Sequence, residues 1–301
     1  MPELPEAETI VRGIRPAITG RRIADVEVVH ADVIKGAPAR LRRAVAERTV
    51  TGVGRRAKNV LIELDDGAVV WINLGMTGGV LPLPRARRTR PAQLRYGDAA
   101  THPAVIFELA GGVDLVFDDS RRFGTVEALD AAGSAARSAT FGAEPLGEAF
   151  TPEGLWRGLH ASRAPIRSWL LDQRKLAGVG NIYAAEALFR AGIHPARRGH
   201  TVRGHEAEAL HRSIRDVLAE AVRAGGTTIR DYRDAEGKQG EFVRELLVYD
   251  REGSPCTRCS TPIRRTVFGN RSAFFCPACQ PRRGTPRAAR EAARPRRSAS
   301  P

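Results

Sequence analysis

Four cysteines stand near the end of the chain as Cys256-x2-Cys259-x16-Cys276-x2-Cys279, and the sequence holds no others. Two such pairs separated by a short stretch have the layout of tetrahedral zinc ligands. The rival arrangement, two disulfides, belongs to oxidising compartments, and the N-terminus lacks the basic-then-apolar layout of a secretory signal. A segment this short buries little core of its own, so metal binding would supply most of its folding free energy, on the order of 10 kcal/mol. Four protein ligands leave no open position, so the expectation is one structural Zn2+ and no catalytic metal. Between the pairs, PIRRTVFGNRSAFF reads as strand, Gly-Asn turn, strand. That pattern sets Arg271 near a hairpin tip, suited to meet a phosphate or a groove.

The rest of the chain must supply the larger cores. Its 301 residues suffice for two domains and a small appendage. The net charge is +14, from 48 Lys+Arg against 34 Asp+Glu. An Arg-rich end, PRRGTPRAAREAARPRRSASP, contributes +6 of this and leaves +8 on the remainder. The folded part is therefore basic in its own right, which points to a polyanionic partner, nucleic acid first. No apolar run approaches the length that spans a bilayer, so a non-membrane, cytoplasmic protein is expected. Only four lysines occur, Lys35, Lys58, Lys175 and Lys238. Arginine is a poor proton carrier, so each remaining Lys is of interest.

The opening MPELPEAETI predicts a helix over roughly 1–20: Pro5 suits a first turn, and Ile10, Val11, Ile14 and Ile18 recur at helical spacing. Short β-branched runs follow at 59–64, 68–74, 104–109 and 113–117. The turn signals DDG and GG within them predict two hairpins. Residues 131–150 are rich in Ala, Gly and Ser without periodicity and read as a linker. Helical patterning resumes at Thr151-Pro152 and runs through the 160s, NIYAAEALFRAG and EAEALHRSIRDVLAEAVRAGG. The expected division is a β-rich domain over 1–131, a linker over 132–149, a helical domain over 150–245, a zinc finger over 246–281 and a disordered basic tail over 282–301.

Three further stretches carry chemistry. In KLAGVGNIYAAEALF, Gly178 and Gly180 precede a helix beginning near Asn181, which suits phosphate; a plain tight turn is the alternative. NLGMTGG places Met76 among glycines after a strand, and DDSRRFGTV places Arg121, Arg122 and Phe123 between strands. Apolar wedges and Arg at an opened base step are how enzymes support a flipped nucleotide, although Met and Phe beside strands are often simply core.

MPELPEAETI, RRAKNVLIEL, NLGMTG, DDSRRFG, LAGVGNIYAAEALF, AGIHP, GGTTIRDY and the four-Cys finger together resemble the formamidopyrimidine-DNA glycosylase / endonuclease VIII family, in its order and across nearly all of 1–280. PELPE and the Met, Arg and Phe loops resemble the formamidopyrimidine branch. The resemblance implies an α+β multi-domain fold: an N-terminal two-sheet β-sandwich with flanking helices, a helix–two-turn–helix domain and a zinc-finger hairpin. It implies a base-excision repair enzyme, both glycosylase and AP lyase, acting as a monomer on damaged double-stranded DNA and removing oxidised purines such as 8-oxoguanine and formamidopyrimidines.

Removal of Met1 would free the secondary amine of Pro2, the family's nucleophile. A terminal amine titrates near ~8 and is partly uncharged at neutral pH. Glu3 would be the general acid/base, and Glu6 would orient the first groups or a water, or else only favour the helix dipole. Lys58 corresponds to the family's catalytic, phosphate-contacting lysine. Arg271, counted with the catalytic set, and Asn181 correspond to ligands that pinch the backbone. Met76, Arg121 and Phe123 match residues that fill the hole left by the flipped base, and Lys238 falls in the loop that closes over that base. His102 keeps part of a family His-Asp-His run, Ser120 replaces a usual Pro, and Arg174 and Lys175 occupy the region of a family Lys. These departures bear on DNA contacts and lesion preference. A catalytically inactive DNA-binding relative, or one with endonuclease VIII-like preference, is the alternative, and the intact PELPE start with Lys58 speaks for the active enzyme.

Overall fold

The computed structural model describes residues 2–85, 100–228, 234–235, 239–268 and 270–282. The chain divides into two compact units, Met1–Phe141 with Glu220–Arg244, and Gly142–Ala219 with Glu245–Pro301.

The first unit opens with helix α1 (Leu4–Ile18), whose buried face is Leu4, Ala7, Ile10, Val11, Ile14 and Ile18. Burying each Leu, Ile or Val side chain contributes about 1.5–3 kcal/mol, so this stripe fixes the helix firmly. One antiparallel sheet runs in the order β1 (Ile23–Val28), β6 (Pro103–Leu109), β7 (Val113–Asp118), β5 (Gly79–Pro84). The other runs β2 (Val50–Arg56), β3 (Asn59–Leu64), β4 (Val69–Asn73), β8 (Thr125–Leu129). Both expected hairpins form, β3–β4 across the Asp-Asp-Gly turn and β6–β7 across the Gly-Gly turn. Inward residues of the two sheets, among them Val60, Ile62, Val70, Ile72, Phe107, Leu115 and Phe117, share one core with α1 and helix α2 (Pro38–Val45).

The stretch read as a linker contains a helix, α3 (Ala131–Ala139). Asp130 caps it by accepting the Gly133 N–H at 2.7 Å, and none of its residues is buried. Alanine propensity and a cap are enough to form a helix that has no apolar stripe, so periodicity could not reveal it.

The second unit carries α4 (Pro152–His160), capped by Thr151, then α5 (Ile166–Leu171), α6 (Asn181–Arg190) and most of α7 (Gly204–Arg223). Its last element is the hairpin β9 (Arg264–Phe268) and β10 (Arg271–Phe275), with Arg271 opposite Phe268 beside the tip. Phe274, Ile263 and Val248 pack with Ala185 and Phe189 of α6, so the finger is seated on that helix. Glu186 of α6 accepts the backbone N–H groups of Leu247, Val248 and Tyr249, pinning the chain as it enters the finger. Burial nonetheless raises the Glu186 pKa above the ordinary carboxylate value. No helix among the described residues is long and apolar enough to cross a membrane.

Candidate active site and nucleic-acid interface

Pro2 and Glu3 are buried at the start of α1, Glu3 with 2 % of its surface exposed. Glu3 is the N-cap residue in extended conformation, and its N–H donates to Glu6 Oε2 at 2.7 Å. The other oxygen of Glu6 accepts the Thr227 N–H, also at 2.7 Å. A single buried carboxylate thus fastens the first residues of the chain to Thr227. Thr227 in turn bridges Glu241, and Gly240 N–H donates to Thr228 Oγ1, so both described ends of the segment that holds Lys238 are pinned beside the N-terminus. Lys238 itself lies outside the described residues.

Lys58 sits in the two-residue turn between β2 and β3, where Arg56 pairs with Asn59. Ala57 adopts φ +54°, a conformation that costs an L-residue roughly 1–2 kcal/mol. Its carbonyl is held at 2.8 Å by Arg55 Nη1, and Arg55 Nε is held at 3.2 Å by Glu8 of α1. The turn is therefore tied to the same helix that carries the N-terminus. Asn59 Nδ2 donates to Arg56 O, Asn73 Nδ2 donates to Asn59 Oδ1, and Gly75 N–H donates to Asn73 Oδ1. This relay runs from the lysine turn to the loop of Met76. Met76 is 40 % exposed and Phe123 58 % exposed, so neither side chain belongs to the core. His102 is exposed; its N–H donates to Asp118, whose carboxyl burial lifts above the ordinary carboxylate value.

In the second unit, Asn181 is the first residue of α6, so it stands at the positive end of that helix dipole. The Gly178 N–H, in the turn expected to suit phosphate, donates instead to Gln173 Oε1. Asn181 accepts from Arg167 Nη2 through Oδ1 and donates to Ser272 O at 3.0 Å through Nδ2; Arg167 Nη2 also reaches Ser272 O at 3.0 Å. Arg167 is 2 % exposed, and its Nε has no hydrogen-bond partner among the described residues. Burial, and then the charge of Arg271, pull its pKa below the ordinary arginine value. Arg167, Phe268, Asn270 and Arg271 line a cleft of about 560 Å³. Asp172 also lines the cleft but is paired with Arg174 and Lys175, so an anion beside Arg167 and Arg271 would relieve the repulsion between the two arginines.

The four Cys Sγ atoms lie within 4.8 Å of one another, with individual pairs at 3.5–3.9 Å. Zinc bound to four thiolates at about 2.3 Å requires Sγ–Sγ edges near 3.8 Å, so the residues fit the metal. Burial, with Cys259 beside it, pushes the Cys276 thiol up to about 11. At Cys259 burial is outweighed by hydrogen bonds from Thr261 and the neighbouring thiols, which draw it down to about 7. Holding all four together as thiolates needs a cation to balance them. Backbone N–H groups of Arg258 and Cys279 point at Cys256 and Cys276 sulfurs at 3.4 Å and would support them as ligands.

Three family models match in order: the formamidopyrimidine-DNA glycosylase N-terminal domain over residues 1–126, its H2TH domain over 141–233, and the zinc finger found in FPG and IleRS over 253–282. The formamidopyrimidine-DNA glycosylase of Chloroflexus aggregans is 43% identical over 281 residues, 93% of this chain and 98% of that protein. The chain belongs to the formamidopyrimidine-DNA glycosylase family.

Solved structures agree. The MutM (Fpg) protein of Thermus thermophilus superposes with a TM-score of 0.80 at 38% identity, covering 93% of this chain and 98% of that one. The Lactococcus lactis Fpg in complex with abasic-site DNA superposes at 0.83 with 29% identity, covering 93% and 100%. The α+β architecture with two sheets, a helical region and a zinc-finger strand pair is that of the family, and one structural zinc fits the finger.

Of the site residues expected from the family's motifs, Pro2, Glu3, Glu6, Lys58, Met76, His102, Arg121 and Phe123 lie in the first unit, and Asn181, Arg271 and the cysteines in the second. Hydrogen bonds link the Glu3–Glu6 start, Thr227 and, through Glu8, the Lys58 turn. Sequence reasoning did not single out Glu8, Arg55, Asn59, Asn73, Asp119, Arg167 or Thr227. All but Arg167 lie inside the quoted motifs, and Arg167 is a basic residue in an otherwise apolar helix face. Those were the available signals.

Proposed function

We propose that this chain is a bifunctional DNA glycosylase and AP lyase of base-excision repair, acting as a monomer on damaged double-stranded DNA and excising oxidised purines such as 8-oxoguanine and formamidopyrimidines. The observation that carries the reading is the N-terminus: a buried Pro2-Glu3 held by Glu6, itself bonded to Thr227.

With Met1 removed, the Pro2 nitrogen is a secondary amine, partly uncharged near neutral pH. It attacks C1′ of the damaged nucleotide, and the base departs with the electrons of the glycosidic bond. Glu3 protonates O4′ as the sugar ring opens, leaving a C1′ iminium. A secondary amine gives an iminium with no N–H to lose, so it acts as an electron sink that acidifies the C2′ proton. Loss of that proton expels the 3′ phosphate, and a second elimination expels the 5′ phosphate. Water then releases the sugar fragment and regenerates the amine. Glu6, whose two oxygens are bonded to backbone N–H groups, is a positioning residue in this account.

Lys58 contacts a phosphate and assists proton transfer, and Asn181 with Arg271 holds the backbone beside the lesion, Arg167 orienting the Asn181 amide. Met76, Arg121 and Phe123 fill the vacated stack, His102 meets the DNA backbone, and Lys238 belongs to the segment that covers the extruded base. Zinc shapes the finger that presents Arg271 and takes no part in the chemistry. Binding of this kind would keep the protein on the nucleoid.

The test is a duplex carrying one 8-oxoguanine, incubated with the zinc-loaded full chain. Free 8-oxoguanine and a one-nucleotide gap with phosphate at both ends are expected. Release of oxidised pyrimidines in preference would move the chain to endonuclease VIII-like specificity, and no release from any lesion would mark an inactive relative.

A further inference from the structure

Asp119 occupies an unusual place. It is 1 % exposed and lies at the root of the DDSRRFG loop, yet its bonds reach a second loop. Its Oδ1 accepts the Thr77 hydroxyl at 2.5 Å, and its Oδ2 accepts the Gly124 N–H at 2.8 Å. The Arg121 N–H lies 3.2 Å from both Asp119 Oδ1 and Thr77 Oγ1, so it is shared between the two loops. Thr77 follows Met76 directly, and Arg121 and Gly124 flank Phe123.

The backbones of the two loops also touch. A Cβ on Gly75, which has φ +59°, would stand 2.5 Å from Gly124 N, and one on Gly124 would stand 2.6 Å from Asn73 O. Only glycine fits at either position, so the approach is as close as main chains allow. On the outer side, the Arg121 guanidinium lies 4.7 Å over the Phe123 ring. Arg122, at φ +55°, turns away to pair with Asp32 at 3.2 Å. The exposed residues Met76, Arg121 and Phe123 therefore rest on one hydrogen-bonded base.

We infer that Asp119, acting with Thr77, is a positioning residue that locks the two loops into one preassembled wedge for the DNA stack; this rests on the function proposed above. Three side chains ordered separately would each lose rotamer and loop entropy on entering the duplex. A wedge ordered in advance has already lost it on folding. A buried carboxylate suits the task better than a neutral group, because it accepts several N–H and O–H donors at once and each bond is charge-assisted. Two demands on the enzyme are thereby separate. Holding open a duplex needs the wedge, and chemistry at C1′ does not.

The test uses Thr77→Val, Thr77→Ser and Asp119→Asn in the zinc-loaded full chain. Each is assayed by borohydride trapping on an abasic site in a duplex and on the same site in single-stranded DNA, where no stack has to be filled. Thr77→Val removes both bonds of the Thr77 hydroxyl across the loops, to Asp119 Oδ1 and from the Arg121 N–H, leaving Asp119 bonded within its own loop. The duplex-to-single-strand ratio should fall about tenfold in Thr77→Val and Asp119→Asn, the order expected for one charge-assisted hydrogen bond. Thr77→Ser should restore the wild-type ratio. An unchanged ratio in Thr77→Val and Asp119→Asn, or duplex and single-strand rates falling in parallel, would overturn the wedge. Failure of the wild type itself to form an adduct on either substrate would instead remove the proposed function, and this inference with it.

Discussion

At the residue scale, Glu6 makes a contact that spans most of the chain. Read along the sequence, it is an acidic residue in the first turn of a helix, where a carboxylate is worth a few tenths of a kcal/mol to about 1 kcal/mol. In the fold it is 1 % exposed and accepts two backbone N–H groups, one of them from Thr227, far along the chain. Glu6→Gln keeps the shape but turns an amide NH2 toward one of those donors, leaving it unsatisfied at a cost of about 1–3 kcal/mol. Thermal unfolding should show a lower midpoint, and adduct formation should slow by tenfold or more because the amine loses its placement. A variant with a lower midpoint but wild-type trapping would make Glu6 purely structural. Arg271, by contrast, is exposed at the hairpin tip, and its loss should weaken binding to all sequences alike. Arg271→Ala should flatten the slope of log K against log salt by about 0.9 in a titration with undamaged duplex.

Elements were legible where a period or a paired turn wrote them into the sequence. The apolar stripe of α1, the two hairpins with their Gly-bearing turns, and the Thr151 cap of α4 all form where the pattern places them. Helix α3 was hidden because a helix that buries nothing leaves no stripe. The relay from Asn59 through Asn73 to Gly75 was hidden for another reason: its members are local to different strands, and only the β3–β4 register brings them level. The motifs named the loops, but not what fastens them.

The seat of the finger shows an element-scale consequence. His194 packs edge-on to Phe275 at 4.6 Å, and its Nδ1 accepts the Ala196 N–H, which requires an unprotonated ring nitrogen. Burial, and then the charge of Arg282, hold its pKa below the ordinary histidine value. Since the folded pKa is the lower one, the contribution is fully present above the unfolded value of ~6.5 and is lost as pH falls through the folded pKa. His194→Asn keeps an acceptor but cannot titrate. Melting curves at pH 7.5 and pH 5 should therefore show a smaller acid-induced drop in the variant than in the wild type; equal drops would exclude His194 from the effect.

For the whole molecule, the charge of +14 and the zinc-dependent finger act together. Freshly purified protein should contain one zinc per chain, and chelation should melt the finger and abolish duplex binding, since metal binding is most of its folding free energy. Beyond charge, metal and fold, the proposed function turns on the amine of Pro2 acting as the nucleophile. Borohydride reduction during reaction with a duplex bearing 8-oxoguanine measures it directly. A covalent protein–DNA adduct is expected, with its link mapped by peptide mass to the N-terminal proline, and it should vanish in Pro2→Gly or when the N-terminus is blocked. An adduct that persists undiminished through both changes would contradict the account.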